Sequence, residues 1–244
     1  MTKIAIIGGS GLDRLGALTK IREHRLSTRY GSPSAAIIEG TLGGRAVMFL
    51  PRHGEAHTIP PHRINYRANI AALRDCGVDE IFAVTAVGGI ADAASPGRIV
   101  VPSQIVDYTY GREQTFYDGL DGHLDHVEFG EPYTASTRHR LIAAASAELD
   151  ILTDGVYGAT QGPRLESAAE IACLARDGCT IVGMTGMPEA ALAREAGLRY
   201  ANCALVVNWA AGIGSDPISL ADIEHHLRAG MTQVVSLLSA ALGP

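Results

Sequence analysis

The sequence predicts an α/β protein in which a mixed, twisted β-sheet is surrounded by helices. Apolar runs rich in β-branched residues alternate along the chain with segments of helical periodicity. Apolar residues make up 47% of the 244 residues and charged residues 19%, which is enough to bury a sizeable core. Glycine contributes 28 residues, and many of them follow the predicted strands, as tight turns require. We predict a single domain spanning residues 1–244.

The predicted strands are short and apolar, and several end at Gly, Pro or a polar turn. They are Ile4–Ile7, Ala35–Glu39, Ala46–Leu50, Glu80–Thr85, Ile99–Val101, Ile105–Asp107, Val156–Thr160, Thr180–Met184 and Tyr200–Val207. The second and third of these segments flank Gly43 and Gly44, which predicts a β-hairpin.

Five segments have helical periodicity, and some of them stop at a glycine that can end a helix. They are Tyr66–Cys76, Thr137–Glu148, Glu166–Arg176, Pro188–Ala196 and a long C-terminal helix that ends near Leu242. Ser219 and Asp222 resemble a capping box, which places the start of the last helix there. Residues 111–134 are polar and irregular, and a loop of that length is usually functional or interfacial.

Charge and cysteine content argue against several classes of protein. The chain has 20 basic and 26 acidic residues, a net charge of −6, whereas nucleic-acid binding needs a basic surface. Its four cysteines form no C-x-x-C pair, so we expect reduced thiols, no metal and a cytoplasmic location. No run approaches the ~18 apolar residues of a membrane span, and we expect no membrane partner.

Four predicted strand ends have groups suited to binding an anion. Ser10 lies in a Gly-rich turn after the first strand, and Arg52 with His53 follows the third. Thr85 and Thr185 add hydroxyls beside Gly-rich backbone at the ends of two further strands. Because α/β sheets gather ligands at the carboxyl ends of their strands, the four segments together predict one convergent anion site.

Each of these motifs also has another interpretation. Gly8–Gly11 could begin a dinucleotide-binding fold or form only a tight turn, although Arg14 stands where the dinucleotide fingerprint requires glycine. The basic segment after the third strand could simply lie in solvent. A metal site in the His-rich segment 53–62 is disfavoured because Pro60 and Pro61 break any helix that would align its histidines.

Glu166 and Asn208 are candidates for reading the polar edge of a heterocycle. Glu166 offers a carboxylate acceptor, and the Asn208 amide offers both a donor and an acceptor. Two simpler interpretations stay open at this point. Glu166 can be a carboxylate favoured at a helix N-terminus, and Asn208 can be a capping or turn residue.

Seven motifs, taken together and in this order, resemble one enzyme family. They are GGSGL from residue 8, RHG from 52, NYRANI from 65, TAVGG from 85, GPRLES from 162, GMTGMPE from 183 and VVNW from 206. From residue 4 to about residue 240, the chain resembles the trimeric purine nucleoside phosphorylase and methylthioadenosine phosphorylase family. The resemblance implies the nucleoside phosphorylase fold and a homotrimer. It also implies phosphorolysis of a purine nucleoside, with inorganic phosphate as co-substrate and no cofactor.

The expected site residues are those that match the motifs of this family. The resemblance implies that phosphate is bound by Ser10, Arg52, His53, Thr85, Ala86 and Thr185. It implies that the nucleoside is bound by Leu165, Glu166, Gly183, Met184, Asn208, Ala210, Leu220, Ile223 and, from a neighbouring subunit, His126. The expected catalytic residues are Asn208, His53 and Thr185. Asn208 would stabilise the negative charge that develops on the purine, by hydrogen bonds to N7 and O6.

Three positions predict which nucleoside is used. Glu166 can accept from N1–H and Asn208 can donate to O6 of a 6-oxopurine, whereas adenine would leave the carboxylate facing an acceptor. An apolar Leu220 favours a methylthio group over a hydroxyl at the 5′ carbon. We therefore expect a 6-oxopurine nucleoside with a 5′-methylthio group. The alternatives are an inosine and guanosine phosphorylase, a methylthioadenosine phosphorylase, an NAD-binding oxidoreductase and a non-catalytic purine-binding protein.

Overall fold

The computed structural model describes residues 2–12, 16–119, 122–146, 149–214 and 217–243. Within these ranges the chain forms one eleven-stranded mixed sheet and five α-helices. The strands are β1 (Ile4–Gly8), β2 (Thr19–His24), β3 (Ile37–Leu42), β4 (Arg45–Pro51), β5 (Glu80–Gly89), β6 (Ile99–Val100), β7 (Gln104–Asp107), β8 (Ile151–Leu152), β9 (Val156–Ala159), β10 (Ile181–Gly183) and β11 (Arg199–Trp209). The helices are α1 (Tyr66–Asp75), α2 (Ala135–Ala143), α3 (Ala168–Arg176), α4 (Gly186–Glu195) and α5 (Leu220–Leu242). The predicted fold class is confirmed.

Helices cover both faces of the sheet. Side chains alternate along β11, so Tyr200 and Ala204 join one hydrophobic core, whereas Cys203 and Leu205 join another. The first core also holds apolar residues of α1 and α4, and the second holds apolar residues of α5. None of the described helices is both long and apolar enough to cross a bilayer.

β5 is the strand that positions the candidate site. β1 runs parallel to it from Glu80 to Ala83, and β10 pairs antiparallel with Gly88 and Gly89. The other edge of β5 pairs with β11 in parallel along almost its whole length. Between β1 and β10, residues 84–87 of β5 therefore form an open edge in the described part of the sheet.

The prediction that this strand ends at Thr85 was wrong. The ladder with β11 continues to Gly89, where glycine permits a close approach of the backbone. A Cβ atom on Gly89 would lie 1.9 Å from the carbonyl oxygen of Ala94, so no other residue fits without a shift. Thr85 and Ala86 thus lie inside a strand, and it is the open edge that exposes this part of β5.

Other differences from the predicted elements have simple causes. β2 was not predicted because it is an edge strand whose residues are mostly exposed and polar. β8 was not predicted either, since it has only two residues. α2 ends at Ala143, short of the predicted end at Glu148, which lies outside the described residues. The cap predicted at Ser219 is confirmed, since its side chain accepts from the backbone N–H of Asp222.

α3 begins two residues later than predicted. Ser167 is its N-cap and forms a capping box with Glu170, so Glu166 precedes the helix. Glu166 therefore lies immediately before the N-cap, outside the first helical turn, and its carboxylate accepts from the Thr160 hydroxyl.

Candidate active site

A cleft opens along residues 85–88 of β5. All but two of the residues expected at the site line it: Ser10, Arg52, His53, Thr85, Ala86, Leu165, Glu166, Gly183, Met184, Thr185, Asn208, Ala210 and Ile223. The other lining residues are Gly9, Pro61, Val87, Gly88, Val182, Val207, Ile218 and Leu227. Segments that are far apart in the sequence thus meet at one place.

Leu220 and His126 are the two exceptions. Leu220 is the first residue of α5, is 77% exposed and does not line the cleft. His126 is exposed in the long polar loop and does not line the cleft of its own chain. The structure therefore does not bring these two residues to the site within one chain.

Arg52 lies at the floor of the cleft and is completely buried. Its Nε and Nη2 donate to the two carboxylate oxygens of Glu189 at 2.7 and 2.8 Å, and its Nη1 donates to the carbonyl oxygen of Val84 at 2.8 Å. Glu189 also accepts from the hydroxyl of Tyr200 at 2.8 Å. A guanidinium group has five N–H donors, so two remain beyond these three bonds.

Glu189 keeps this buried guanidinium charged. Burial is the largest single influence and would lower the pKa of Arg52, but the attraction of the Glu189 carboxylate and its hydrogen bonds together hold the pKa above its ordinary value. The same surroundings raise the pKa of the Tyr200 hydroxyl well above its usual range. Burial is the larger cause, and the nearby Glu189 carboxylate is the next. Arg52 is therefore a permanent cation whose charge is balanced from behind the cleft.

Gly9 lets the turn after β1 lie against this pair. A Cβ atom there would be 2.7 Å from the carbonyl oxygen of Val84 and 2.9 Å from Nη1 of Arg52. Backbone and guanidinium would then have to move apart. The glycine is thus required by the close approach of the backbone to the floor of the cleft.

Hydroxyl and imidazole groups surround the floor. The Nδ1 of His53 lies 2.8 Å from the carbonyl oxygen of Ile59, which can only accept, so Nδ1 bears a proton. The ring of His57 packs 4.6 Å from that of His53, and its Nε2 lies 3.4 Å from Oγ of Ser10. His57 is exposed and does not line the cleft itself, but it contacts two residues that do.

The Thr85 side chain is hydrogen-bonded to Asn202 of the neighbouring strand β11. Its hydroxyl donates to Oδ1 of Asn202 at 2.9 Å, and both side chains are buried. The sequence analysis did not predict that Asn202 contacts a residue of the site. A polar residue inside the apolar strand β11 was the signal that could have identified it.

Glu166 and Asn208 lie at another part of the cleft. Oε1 of Glu166 accepts from the Thr160 hydroxyl at 2.5 Å. Nδ2 of Asn208 donates to the carbonyl oxygen of Trp209 at 2.7 Å, and an amide has a second N–H besides this one. The ladder between β11 and β5 shifts by one residue between Val206 and Asn208, which sets Asn208 opposite Gly88.

An apolar wall completes the cleft. It consists of Ile218, Ile223 and Leu227, and the last two lie four residues apart on one face of α5. Leu227 was not expected at the site, although its spacing from Ile223 was a signal. Within α5 the wall therefore begins at Ile223, about one helical turn after Leu220, where the resemblance to the family placed it.

Arg112 fixes the segments on either side of the cleft, and no sequence signal pointed to it. Its guanidinium donates to the carbonyl oxygens of Met184 and Met187 at 2.8 and 2.6 Å. It also donates to the carbonyl oxygen of Gln161 at 2.8 Å and to that of Thr160 at 3.2 Å. The long polar loop is thus anchored to the backbone around Met184 and Glu166.

The described residues contain no group of three or more His, Cys, Asp or Glu side chains arranged to hold a metal ion. The polar groups of the cleft are three hydroxyls, one guanidinium, one imidazole, one carboxylate and one amide. Such a set can bind an anion at one end and a polar heterocycle at the other.

Comparison with known proteins agrees with this arrangement. The model of the phosphorylase superfamily matches residues 3–243. The chain is 53% identical to the "Probable S-methyl-5′-thioinosine phosphorylase" of Pseudomonas syringae pv. tomato, over 99% of each protein. It is 42% identical to the 6-oxopurine nucleoside phosphorylase of Pyrococcus furiosus, over 99% of this chain and 92% of that one. The structure matches methylthioadenosine phosphorylase from Schistosoma mansoni in complex with adenine with a TM-score of 0.93, at 34% identity, over 99% of this chain and 91% of that one.

The chain therefore belongs to the phosphorylase superfamily.

Proposed function

We propose that this protein catalyses the phosphorolysis of S-methyl-5′-thioinosine to hypoxanthine and 5-methylthioribose 1-phosphate. The observation that supports this most directly is that one cleft has three chemically distinct parts. Its floor is rich in donors, its second part has a carboxylate and an amide, and its third part is an apolar wall. These parts suit a phosphate, a 6-oxopurine and a methylthio group.

The reaction makes simple demands on the floor. A phosphate oxygen attacks C1′ while the N-glycosidic bond breaks and its electron pair moves onto the purine, through an oxocarbenium-like sugar. Phosphate is the nucleophile, so no protein carboxylate has to attack. The proposed phosphate ligands are Ser10, Arg52, His53, Thr85, Ala86 and Thr185, all of which line the cleft. Preorganised donors hold the dianion under the sugar, and no metal or organic cofactor is needed.

The pair at the second part accounts for base recognition. In our proposal Asn208 donates to the purine at N7 and O6, where negative charge develops as the bond breaks. Thr160 occupies Oε1 of Glu166, which leaves Oε2 to accept from N1–H of a 6-oxopurine. Adenine would present an acceptor to that carboxylate, and an unpaired buried group costs about 1–3 kcal/mol.

The apolar wall favours a methylthio group over a hydroxyl at the 5′ carbon. A 5′-hydroxyl facing Ile218, Ile223 and Leu227 would lose its hydrogen bonds with water. Burying a methyl group and a sulfur there instead contributes on the order of 1–2 kcal/mol. This distinguishes the proposed activity from that of a general inosine and guanosine phosphorylase.

A substrate panel with and without phosphate tests the proposal. We expect phosphate-dependent release of hypoxanthine from S-methyl-5′-thioinosine, with a higher kcat/KM than for inosine or S-methyl-5′-thioadenosine. Equal or better use of the 6-amino substrate would contradict the roles of Glu166 and Asn208. A lack of phosphate-dependent cleavage across the panel would favour a non-catalytic purine-binding protein, and calorimetric binding of NAD would favour an oxidoreductase.

The proposal extends to assembly and location. We propose a cytoplasmic homotrimer in which His126 of one subunit reaches the nucleoside in the cleft of the next. The position of His126 outside the cleft of its own chain is compatible with such a role.

A further inference from the structure

Asn202 is a completely buried polar side chain next to Thr85, a residue that lines the cleft. Its Oδ1 accepts from the Thr85 hydroxyl at 2.9 Å. Its Nδ2 is buried and has no hydrogen-bond partner among the residues that the structure describes. Buried polar groups in folded proteins are nearly always paired, so an amide left half-satisfied beside a cleft residue needs an explanation.

The direction of this hydrogen bond decides what Thr85 can offer to an anion. A hydroxyl group has one proton and two lone pairs. While Thr85 donates to Asn202, it can present only lone pairs to the cleft, and these repel a phosphate oxygen. A half-turn of the Asn202 amide exchanges Oδ1 and Nδ2, two groups of nearly equal size. Nδ2 then donates to Oγ1 of Thr85, and the Thr85 proton can point into the cleft.

The same half-turn pairs the N–H that is otherwise unpartnered. An amide nitrogen next to Thr85 can only donate, whereas an amide oxygen can only accept. The amide therefore determines whether the Thr85 hydroxyl acts as a donor or an acceptor toward the cleft. After the half-turn it is Oδ1 that lacks its Thr85 partner. A carbonyl oxygen tolerates incomplete hydrogen bonding better than an N–H group does.

We infer that Asn202 is a positioning residue for phosphate: in the phosphate complex its amide donates to Thr85 and thereby directs the Thr85 hydroxyl proton to a phosphate oxygen. This inference rests on the proposed function, because it assigns the anion at the floor of the cleft as phosphate. Asn202 itself does not line the cleft and acts only through Thr85.

A double-mutant cycle with Asn202→Ala and Thr85→Val tests the inference. Phosphate binding is measured by calorimetry with inorganic phosphate, and KM is measured separately for phosphate and for the nucleoside. We expect Asn202→Ala to weaken phosphate binding by about 3–10-fold, because the freed hydroxyl can still donate to phosphate but is no longer directed toward it. The nucleoside KM should stay within about twofold. In the Thr85→Val background, Asn202→Ala should change phosphate binding by less than about twofold, because its effect passes through the hydroxyl.

Asn69 provides the matched control, since it is equally buried and hydrogen-bonds Ser34 away from the cleft. Asn69→Ala should lower thermal stability without a change in the phosphate KM. If Asn202→Ala does not fold, the near-isosteric Asn202→Asp replaces it. A carboxylate can only accept from Thr85, so this variant should bind phosphate at least ten times more weakly.

Two results would overturn the inference: phosphate binding by the Asn202 variants equal to that of the wild type, or an equally large effect in the Thr85→Val background. Either result can occur while the wild type cleaves its nucleoside normally, so the proposed function would stand. Conversely, a wild type that binds phosphate without cleaving any nucleoside would refute the function. The calorimetric comparison of the variants would still decide the role of Asn202.

Discussion

Arg52 shows how one residue can supply both charge and structure. Its guanidinium is completely buried, and moving a charge out of water costs several kcal/mol unless a partner and hydrogen bonds compensate. Glu189 compensates with two short hydrogen bonds, the Val84 carbonyl oxygen accepts a third, and two of the five N–H donors remain beyond these. Because the pair is neutral as a whole, the proposed recognition of phosphate at this floor would depend on directed donors more than on net positive charge.

Replacing Glu189 by glutamine tests this pairing. Glu189→Gln keeps the side chain's shape but leaves the Arg52 charge uncompensated, so we expect the free energy of unfolding to fall by about 3–5 kcal/mol. Urea denaturation measures the change. Tyr200→Phe is the matched control, because it removes one hydrogen bond to Glu189 and keeps the ion pair. Tyr200→Phe should lower the free energy of unfolding by about 1.5 kcal/mol. An equal loss in Glu189→Gln would show that the ion pair contributes no more than the Tyr200 hydrogen bond.

Asn208 is the residue whose substitution should alter base preference. Asn208→Asp replaces a donor by an acceptor, so O6 of a 6-oxopurine loses its partner while a 6-amino group gains one. We expect the kcat/KM ratio of S-methyl-5′-thioadenosine to S-methyl-5′-thioinosine to rise at least about tenfold. Steady-state kinetics with both substrates measures the ratio, and the phosphate KM serves as the internal control. An unchanged ratio would remove Asn208 from base recognition.

At the scale of elements, periodicity predicted most strands and helices, while their ends depended on the rest of the fold. β5 continues past Thr85 because β11 pairs with it as far as Gly89, and pairing with a strand so distant in the sequence is not a local property. The start of α3 could have been predicted, since Ser167 and Glu170 spell a capping box. β2 could not, because an exposed edge strand lacks the alternation of apolar residues that marks buried ones.

Helix α5 offers a comparison between a predicted and an observed wall residue. Leu227 lines the cleft, whereas Leu220 is exposed at the start of the same helix. We expect Leu227→Ala to lower the kcat/KM ratio of S-methyl-5′-thioinosine to inosine about fivefold, because the methylthio group loses apolar contact. Leu220→Ala should leave the ratio within about twofold. If Leu220→Ala lowers this kcat/KM ratio as much as Leu227→Ala does, Leu220 contacts the 5′ group, as the sequence predicted.

At the scale of the whole molecule, the candidate site could be predicted largely because its residues stand in recognisable motifs. Ser10, Arg52 and Thr185 each lie in a short segment whose composition already suggested an anion ligand. Arg112 could not be predicted, because it acts by donating to backbone carbonyls whose proximity depends on the folded chain. Side chains that bind backbone leave no pattern in the sequence of their partners.

His126 raises the question whether one chain holds a complete site. We expect His126→Ala to raise the nucleoside KM with little change in the phosphate KM, and light scattering to show a trimer for the wild type and the variant.

A mixing experiment tests directly whether neighbouring subunits share a site. The His126→Ala variant is refolded together with Glu166→Ala, which is expected to be impaired in its own cleft. If His126 acts on the neighbouring cleft, some clefts in the mixed trimers combine an intact Glu166 with an intact His126, and activity exceeds that of either variant alone. If His126 acts within its own chain, every cleft keeps one defect and mixing restores nothing. A fully active monomer would refute the shared site altogether.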